Sequence, residues 1–323
     1  IGFLGYTLLA GLEALRIGGG PRRVDTVIAM SPPITLGLTG WLVSRVRRAT
    51  FVFNIQDVFP DAAIETGAIS NRWIIAAARW FERFSYRRSD AVTVLSNDLA
   101  ANVRAKLPAG DADRVHVIPN FVDTAAITPG DRLTPYRTEL GLGDGPVVLY
   151  AGNVGFSQSL DLLLAAAAAL PDVTFLVNGD GSARPTLERA AAGLANVRFA
   201  GYIEPSRLPE LLATGDVHVV PLKRGLARVS VPSKTYSIMA AARPVLASID
   251  PGTAVPAILA ESGGGVAVDP EDPEAFVDAL RALLADPAAA AAMGARGRTW
   301  VEREASPAAV GDAYHRLIAA LRR

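Results

Sequence analysis

Apolar and polar positions along the chain alternate between short β-branched runs and longer stretches of helical period. Candidate strands are 24–29 (VDTVIA), 50–55 (TFVFNI), 91–95 (AVTVL) and 115–118 (VHVI). A second series follows at 147–151, 173–178, 196–199, 216–220, 244–248 and 265–268. Most are continuously apolar, as parallel strands covered on both faces must be. Helical patterns lie between them, for example at 71–87, 159–170, 183–193, 206–214 and 273–286. Strand–helix alternation of this kind predicts an α/β chain of two doubly wound parallel-sheet domains. The Pro-, Asp-, Thr- and Gly-rich stretch 120–135 separates the two series and reads as a linker. The expected division is 1–130, 131–305 and a last helix, 306–323, that packs back toward the first domain. The first series has four strands against six. It opens on a helix instead of a strand and glycine-rich turn, and there is no initiator Met, so an incomplete first domain is expected.

The apolar run from Ile1 to Ile17 is broken by Glu13 and is shorter than the ~20 residues of a membrane span. Without a basic start or a cleavage site it does not read as a signal peptide. A buried or interfacial helix ending at Gly18-Gly19-Gly20 is expected.

Composition narrows the chemistry. In 323 residues, 32 basic side chains balance 32 acidic ones, whereas nucleic-acid binding calls for a basic excess. With no cysteine there is no disulfide, thiolate metal site or catalytic thiol, and three scattered histidines are too few for an imidazole metal cluster. A cytoplasmic enzyme that works without a protein-bound metal or other cofactor fits this composition.

In open parallel sheets, ligands bind where strand ends meet helix starts. Three segments stand there. Gly152-Asn153-Val154-Gly155 turns from a strand into a helix beginning near Ser159. Gly179-Asp180-Gly181 does the same, with Ser182 placed to cap the helix carrying Arg184 and Glu188. In the third, Ser233 is a plausible cap for the helix from Lys234 to Ala241. There Lys234 puts a cation at the positive end of the dipole, unfavourable by a few tenths of a kcal/mol. A bound phosphate would offset that cost; a solvated lysine that tolerates it is the alternative. Each glycine turn alone reads more readily as a plain βα turn. Together the three suggest a diphosphate-bearing nucleotide.

In order and spacing, the segments SPPITLGLTG (31–40), FVFNIQDVFPDAAIETG (51–67), FERFSYRRSDAVTVLS (81–96), HVIPNFVD (116–123), YAGNVGFSQSLD (150–161), NVRFAGYI (196–203), DVHVVPLK (216–223) and VPSKTYSIMAAARPVLASID (231–250) resemble the retaining glycosyltransferases of family four (group 1), and within it bacterial cell-surface polysaccharide transferases of the L-fucosamine transferase type. The resemblance implies the GT-B fold, two Rossmann-like domains facing a cleft. It implies transfer of a sugar from a nucleotide diphosphate, such as a UDP-N-acetylamino sugar, to a lipid-linked (polyprenyl) or cell-surface glycan. By the same resemblance Gly152, Asn153 and Gly155 line the donor diphosphate, Gly179 and Gly181 border the nucleotide, and the backbone at Tyr202 and Ile203 meets its base. Ser233 and Lys234 hold the diphosphate, Gln56 and Asp57 face sugar and acceptor, and Asn120 and Asp123 lie at the crossover.

Departures from the family pattern are as informative. Many relatives carry two glutamates eight positions apart, the later one on the nucleotide ribose; here these are Val229 and Ser237. The usual glycine before Arg-Pro is Ala242, an acidic position is Ala254, and the basic residue after the first glycine turn is Phe156. A second phosphate cation would then come from Lys223, Arg224 or Arg228. A degenerate protein that binds nucleotide or a partner without turnover is the competing reading, and a sugar-nucleotide epimerase a more distant one. Arg22, Arg23, Arg45, Arg47 and Arg48 beside the apolar N-terminal run suggest peripheral contact with the inner face of a membrane; a solvated basic face is the alternative.

Overall fold

The computed structural model describes residues 2–17, 24–65 and 69–322. The chain divides into two compact units: Ile1–Pro119 with Arg228–Val231 and Val310–Arg323, and Asn120–Ala227 with Pro232–Ala309.

The first unit runs α1 (Gly2–Arg16), β1 (Thr26–Ser31), α2 (Leu36–Arg47), β2 (Thr50–Ile55), α3 (Asp61–Glu65), α4 (Arg72–Arg88), β3 (Ala91–Val94), α5 (Asn97–Ala105) and β4 (Val115–Val117). Its strands form a parallel sheet in the order β1-β2-β3-β4. Phe51, Val52, Phe53 and Ile55 are all buried, which is why β2 reads as one apolar run rather than an alternation. Helix α4 starts where the Asn71 side chain accepts from the Trp73 and Ile74 amides at 2.9 and 3.3 Å.

The second unit contains α6 (Pro135–Glu139), β5 (Val147–Ala151), α7 (Asp161–Ala169), β6 (Thr174–Asn178), α8 (Arg184–Ala190), β7 (Val197–Ala200), α9 (Leu208–Thr214), β8 (Val217–Pro221), α10 (Lys234–Ala240), β9 (Val245–Ser248), α11 (Ala254–Ser262), β10 (Gly265–Val268), α12 (Pro273–Ala285) and α13 (Pro287–Glu304). Its six parallel strands are ordered β10-β9-β8-β5-β6-β7. The chain winds one way from β5 through β6 and β7, then returns to lay β8, β9 and β10 on the other side. Asp216 pins the start of that return, accepting from the Val147 amide at 2.8 Å and from the Arg137 guanidinium at 2.9 Å. The last helix, α14 (Pro307–Leu321), lays Val310 and Leu317 on Val52, Ala91 and Ile118 of the first unit, and its Tyr314 hydroxyl reaches Asn54 Nδ2 at 2.8 Å.

Four local expectations change. The stretch 120–135 is tied to the second unit rather than hanging free, because the Val122 amide donates to Ala305 at 2.9 Å and Arg298 to the Thr124 carbonyl at 2.8 Å. Ser233 is already helical in conformation and makes no side-chain cap bond, so it is not the cap its type predicts. Ser182 likewise lies before Ala183, the residue that precedes α8, and is not its cap. Finally, Arg47 does not face solvent. It is buried, donating to the carbonyls of Leu15 and, at 2.7 Å, Ile17, where it neutralises the negative end of α1. Arg22, Arg23 and the expected Gly18–Gly20 stop lie outside the described residues.

Candidate functional site

Strands β5 and β8 are hydrogen-bonded neighbours, with Val148 opposite Val217 and Leu149 opposite His218. The connections leaving them diverge to opposite sides of the sheet, which opens a crevice beyond their carboxyl ends. Lys234, the first residue of α10, points into that crevice. Its Nζ lies 3.9 Å from the centroid of the Tyr150 ring on β5, and 3.1 Å from where a side chain on Gly152 would begin. Gly152 also holds φ +135°, so glycine is required there by the backbone and by the ammonium alike. Among the described residues Lys234 has neither a carboxylate nor a hydrogen-bond acceptor as partner. Burial alone pushes its amine down to about 7.

Tyr150 does more than cover the ammonium. Its hydroxyl donates to the Asn153 carbonyl at 2.6 Å and so fixes the turn that follows its own strand. The Gly155 amide donates to Gln158 Oε1 at 3.0 Å, closing the turn at its far end. Lys223 borders the same turn: its amide donates to the Ser157 carbonyl at 3.0 Å, and it shares a small cavity with Gly155 and Phe156. Arg224 is instead bonded to the Pro270 carbonyl at 2.8 Å, and Arg228 belongs to the first unit. Of the three candidate second cations, Lys223 is the one on this turn.

The second glycine turn has a different reason for its sequence. A Cβ on Gly179 would stand 1.9 Å from the Gly152 carbonyl oxygen, and one on Gly181 would stand 2.4 Å from the Val154 oxygen. The seam is closed by the Gly152 amide on Asn178, the Val154 amide on Asp180 and the Ala183 amide on Val154, at 2.9, 2.9 and 3.0 Å. Gly179 and Gly181 are therefore dictated by packing of one turn on the other. Arg184 secures the arrangement, donating to the carbonyls of Gly179 and Ala200 at 2.6 and 3.0 Å while Glu188 holds its Nε at 2.7 Å. Asn178 donates to the Gly201 carbonyl at 2.9 Å and accepts from the Tyr136 hydroxyl at 2.6 Å, which sets the 201–203 segment. Tyr202 is 66% exposed with its hydroxyl on the Asp180 carbonyl at 3.1 Å, and Ile203 packs into the cluster around Leu176 and Leu211. Ser233 is exposed and Ser237 half-buried on α10.

Of the supporting residues, Tyr150 and Asn178 carried one signal, a polar group at or beside the end of an otherwise apolar strand, and Tyr136 on α6 carried none.

Gln56 and Asp57 lie in the first unit, just beyond β2. Gln56 Nε2 donates to Asn54 Oδ1 at 2.7 Å, and Asn54 Nδ2 donates in turn to Thr93 Oγ1 at 2.9 Å and to the Tyr314 hydroxyl. Asp57 pairs with Ser230 across an antiparallel bridge. Burial raises its carboxyl above the usual range, and the bond to Ser230 opposes that rise in part. Beside it the buried Val229 offers its carbonyl to the Val58 amide at 3.0 Å. An apolar residue at 229 thus has a structural reason. Asp123 accepts from the amides of Ala125 and Ala126 at 3.0 and 2.9 Å, a local turn. Among the described residues no three His, Cys, Asp or Glu side chains gather as a metal would require.

Comparison with known proteins adds to this geometry. Residues 2–120 match the family model described as a glycosyl transferase 4-like domain, and residues 145–286 match the one described as glycosyl transferases group 1. The chain is 30% identical over 275 residues to the Escherichia coli (strain K12) protein named "Putative colanic acid biosynthesis glycosyl transferase WcaI", covering 81% of this chain and 67% of that one. It is 32% identical over 248 residues to the D-inositol 3-phosphate glycosyltransferase of Xylanimonas cellulosilytica, covering 70% of this chain and 57% of the relative. Among solved structures, Anabaena HepE in complex with UDP superposes with a TM-score of 0.76 at 14% identity, over 97% of this chain and 82% of that one. The sucrose-phosphate synthase of Thermosynechococcus elongatus gives 0.73 at 21%, over 92% and 74%. At these identities the two structures attest the fold.

Proposed function

This chain belongs to the group 1 glycosyltransferases of GT-B fold, and we propose that it moves a sugar from a nucleotide-diphosphate donor to a glycan hydroxyl with retention at the anomeric carbon. The donor we favour is a UDP-N-acetylamino sugar. The acceptor is a lipid-linked or cell-surface glycan precursor at the inner face of a membrane. One observation carries the reading: an ammonium without an acidic partner among the described residues, held at the β5–β8 crevice against a glycine turn with room for nothing larger.

In this proposal the donor diphosphate lies along the Gly152–Gly155 turn, with Asn153 and Ser233 beside it and Lys234 at the leaving-group oxygens. The acceptor hydroxyl attacks the anomeric carbon as the bond from that carbon to the diphosphate oxygen breaks. The electron pair goes to the diphosphate, which takes up the hydroxyl proton on the same face. Lys234, protonated when the anion is bound, stabilises the developing charge where surrounding protein strengthens the interaction over its value in water. Lys223 supplies a second cation, Tyr202 and Ile203 border the base, and Ser237 stands toward the ribose. Gln56 and Asp57 orient sugar and acceptor. The reaction runs without a protein-bound metal.

Isothermal titration with UDP and UDP-sugars tests this: binding is expected in the native chain and lost in Lys234→Ala. No binding in the native chain would sink the proposal. The competing reading, nucleotide binding without turnover, is favoured by Val229 being buried and engaged with Val58 where many relatives carry a glutamate. Retained UDP binding with no sugar transfer across a panel of acceptors would select it.

A further inference from the structure

Helix α4, RWIIAAARWFERFSYRR, is amphipathic, and its outward face is the unusual one. Arg72, Arg79, Arg83 and Arg87 are exposed and carry no carboxylate partner among the described residues. The one acid on the helix, Glu82, is buried and taken by Lys106 at 2.7 Å and the Tyr86 hydroxyl at 3.1 Å. Between the arginines Trp73 is 73% exposed and Trp80 54%, with Ile74 beside them. A tryptophan normally buries on the order of 200 Å², so two left in water on one helix call for a cover.

The surface continues across α2, which packs on α4 and exposes Leu42, Arg45 and Val46, with exposed Arg48 just beyond its end. Trp80 stacks on Phe84 at 5.4 Å, and the Arg88 guanidinium lies over both Phe84 and Trp41 at 5.8 and 5.6 Å. Rings and cations thus run together into a basin bordered by Arg45, Arg48, Arg87, Arg88 and Arg114. Of these Arg114 is paired, with Asp111 at 3.1 Å. Asp90, the acid in the basin, spends its carboxylate on the Phe51 amide at 2.7 Å. Among the described residues the face therefore has an apolar centre, a single sign of free charge and no unspent acid to complement it. Because the sheet is parallel and α4 leads into β3, the helix runs against the strands. Its tryptophan end stands at the strand ends that carry Gln56 and Asp57.

We propose that the α2–α4 face docks on an anionic lipid bilayer, with Trp73, Ile74 and Trp80 in the interfacial layer and the arginines against lipid phosphates. Arginine stems and indole rings both place an apolar body in the interface and a polar group at the headgroups. No described helix is long and apolar enough to cross a membrane, and the proposed docking is that of an interfacial surface. Only its purpose, presenting a lipid-linked acceptor to the Gln56–Asp57 end, rests on the transferase reading.

Co-sedimentation of the full chain with vesicles tests the docking. Strong partition is expected onto phosphatidylcholine mixed with phosphatidylglycerol, weak partition onto phosphatidylcholine alone, and a fall as salt rises. The combined variant Arg79→Gln, Arg83→Gln, Arg87→Gln should lower partition by about fivefold per arginine. Trp73→Ser with Trp80→Ser should weaken it and abolish quenching of tryptophan emission by brominated lipid. Both variants should keep native UDP affinity, and Lys234→Met should keep native lipid partition, so this inference and the donor-site reading fail separately. Absence of binding to the mixed vesicles at low salt overturns the proposal, as does equal binding by the arginine variant. A lipid-independent dimer that the Trp73/Trp80 variant dissolves would identify a second copy as the occupant instead.

Discussion

The two glycine turns of the second unit look alike in sequence and differ in why they are there. Gly179 and Gly181 are fully explained by protein: a methyl group at either would strike a carbonyl oxygen of the neighbouring turn. Gly152 stands beside an ammonium that, apart from the Tyr150 ring, has no partner among the described residues. One turn is closed by protein contacts; the other borders a cation that no acidic side chain among the described residues neutralises. A glycine after a strand is thus weak evidence of a ligand site by itself, while a half-buried cation lacking a counter-charge is stronger, because such a charge is normally paired.

The closed turn should give the largest effect when broken. Gly179→Ala adds a Cβ 1.9 Å from the Gly152 oxygen at φ +144°, and neither backbone can yield without opening the seam. A destabilisation of about 3 kcal/mol or more is expected, read as a lower midpoint in urea or on heating. An unchanged midpoint would mean that the two turns do not pack as described.

The open turn should behave in the opposite way. Lys234→Met keeps the stem but removes the charge, so the fold should be unharmed or firmer while UDP affinity drops about tenfold to a hundredfold. If Lys234→Met lowers the melting temperature instead, the ammonium is a structural element and the contrast between the turns collapses.

How much of this was legible in the sequence depends on whether the signal is local. The continuous apolar runs gave every strand of both sheets to within about two residues, because burial on both faces of a parallel sheet leaves a one-dimensional trace. Lys234 was legible because a cation in a first helical turn is locally wrong. Ser233 and Ser182 were misread as caps for the converse reason: residue type announces a cap, but backbone geometry decides it. The part Tyr150 plays could not be read: a polar group near a strand end was visible, but its ring acts on Lys234, which only the chain following β8 brings back. Arg47 and α4 failed alike. Sequence shows that a helix has two faces; tertiary contact decides which is covered, so the buried arginine was expected outside and the exposed tryptophans were passed over.

Titration sharpens the comparison further. With its amine near 7 in the ligand-free protein, Lys234 is largely neutral at pH 8 and must regain a proton to hold a diphosphate. UDP affinity should therefore decline as pH rises above about 7, by at most tenfold per unit. Binding at pH 8 should take up protons, measurable as a dependence of the titration enthalpy on buffer ionisation. The same shift has a stability consequence of fixed sign. The folded chain binds fewer protons than the unfolded one between about 7 and the ordinary lysine value, so unfolding free energy rises with pH through that window. Both slopes should be missing from Lys234→Met.

The smallest effect concerns a glycine that is absent. Ala242 follows α10 with φ +54°, the left-handed region that costs an alanine about 1–2 kcal/mol. It cannot relax easily, because its carbonyl oxygen lies 2.1 Å from where a side chain on Gly294 of α13 would begin. Glycine would relieve the strain but would also loosen the unfolded chain, returning about 0.4–1 kcal/mol of the gain. Ala242→Gly should thus stabilise by about 0.5–1 kcal/mol, seen as a small rise in the unfolding midpoint with UDP affinity unchanged. A loss of stability would show that the methyl group has a packing role that outweighs its backbone cost, and that a positive φ is not enough to mark where a glycine is missing.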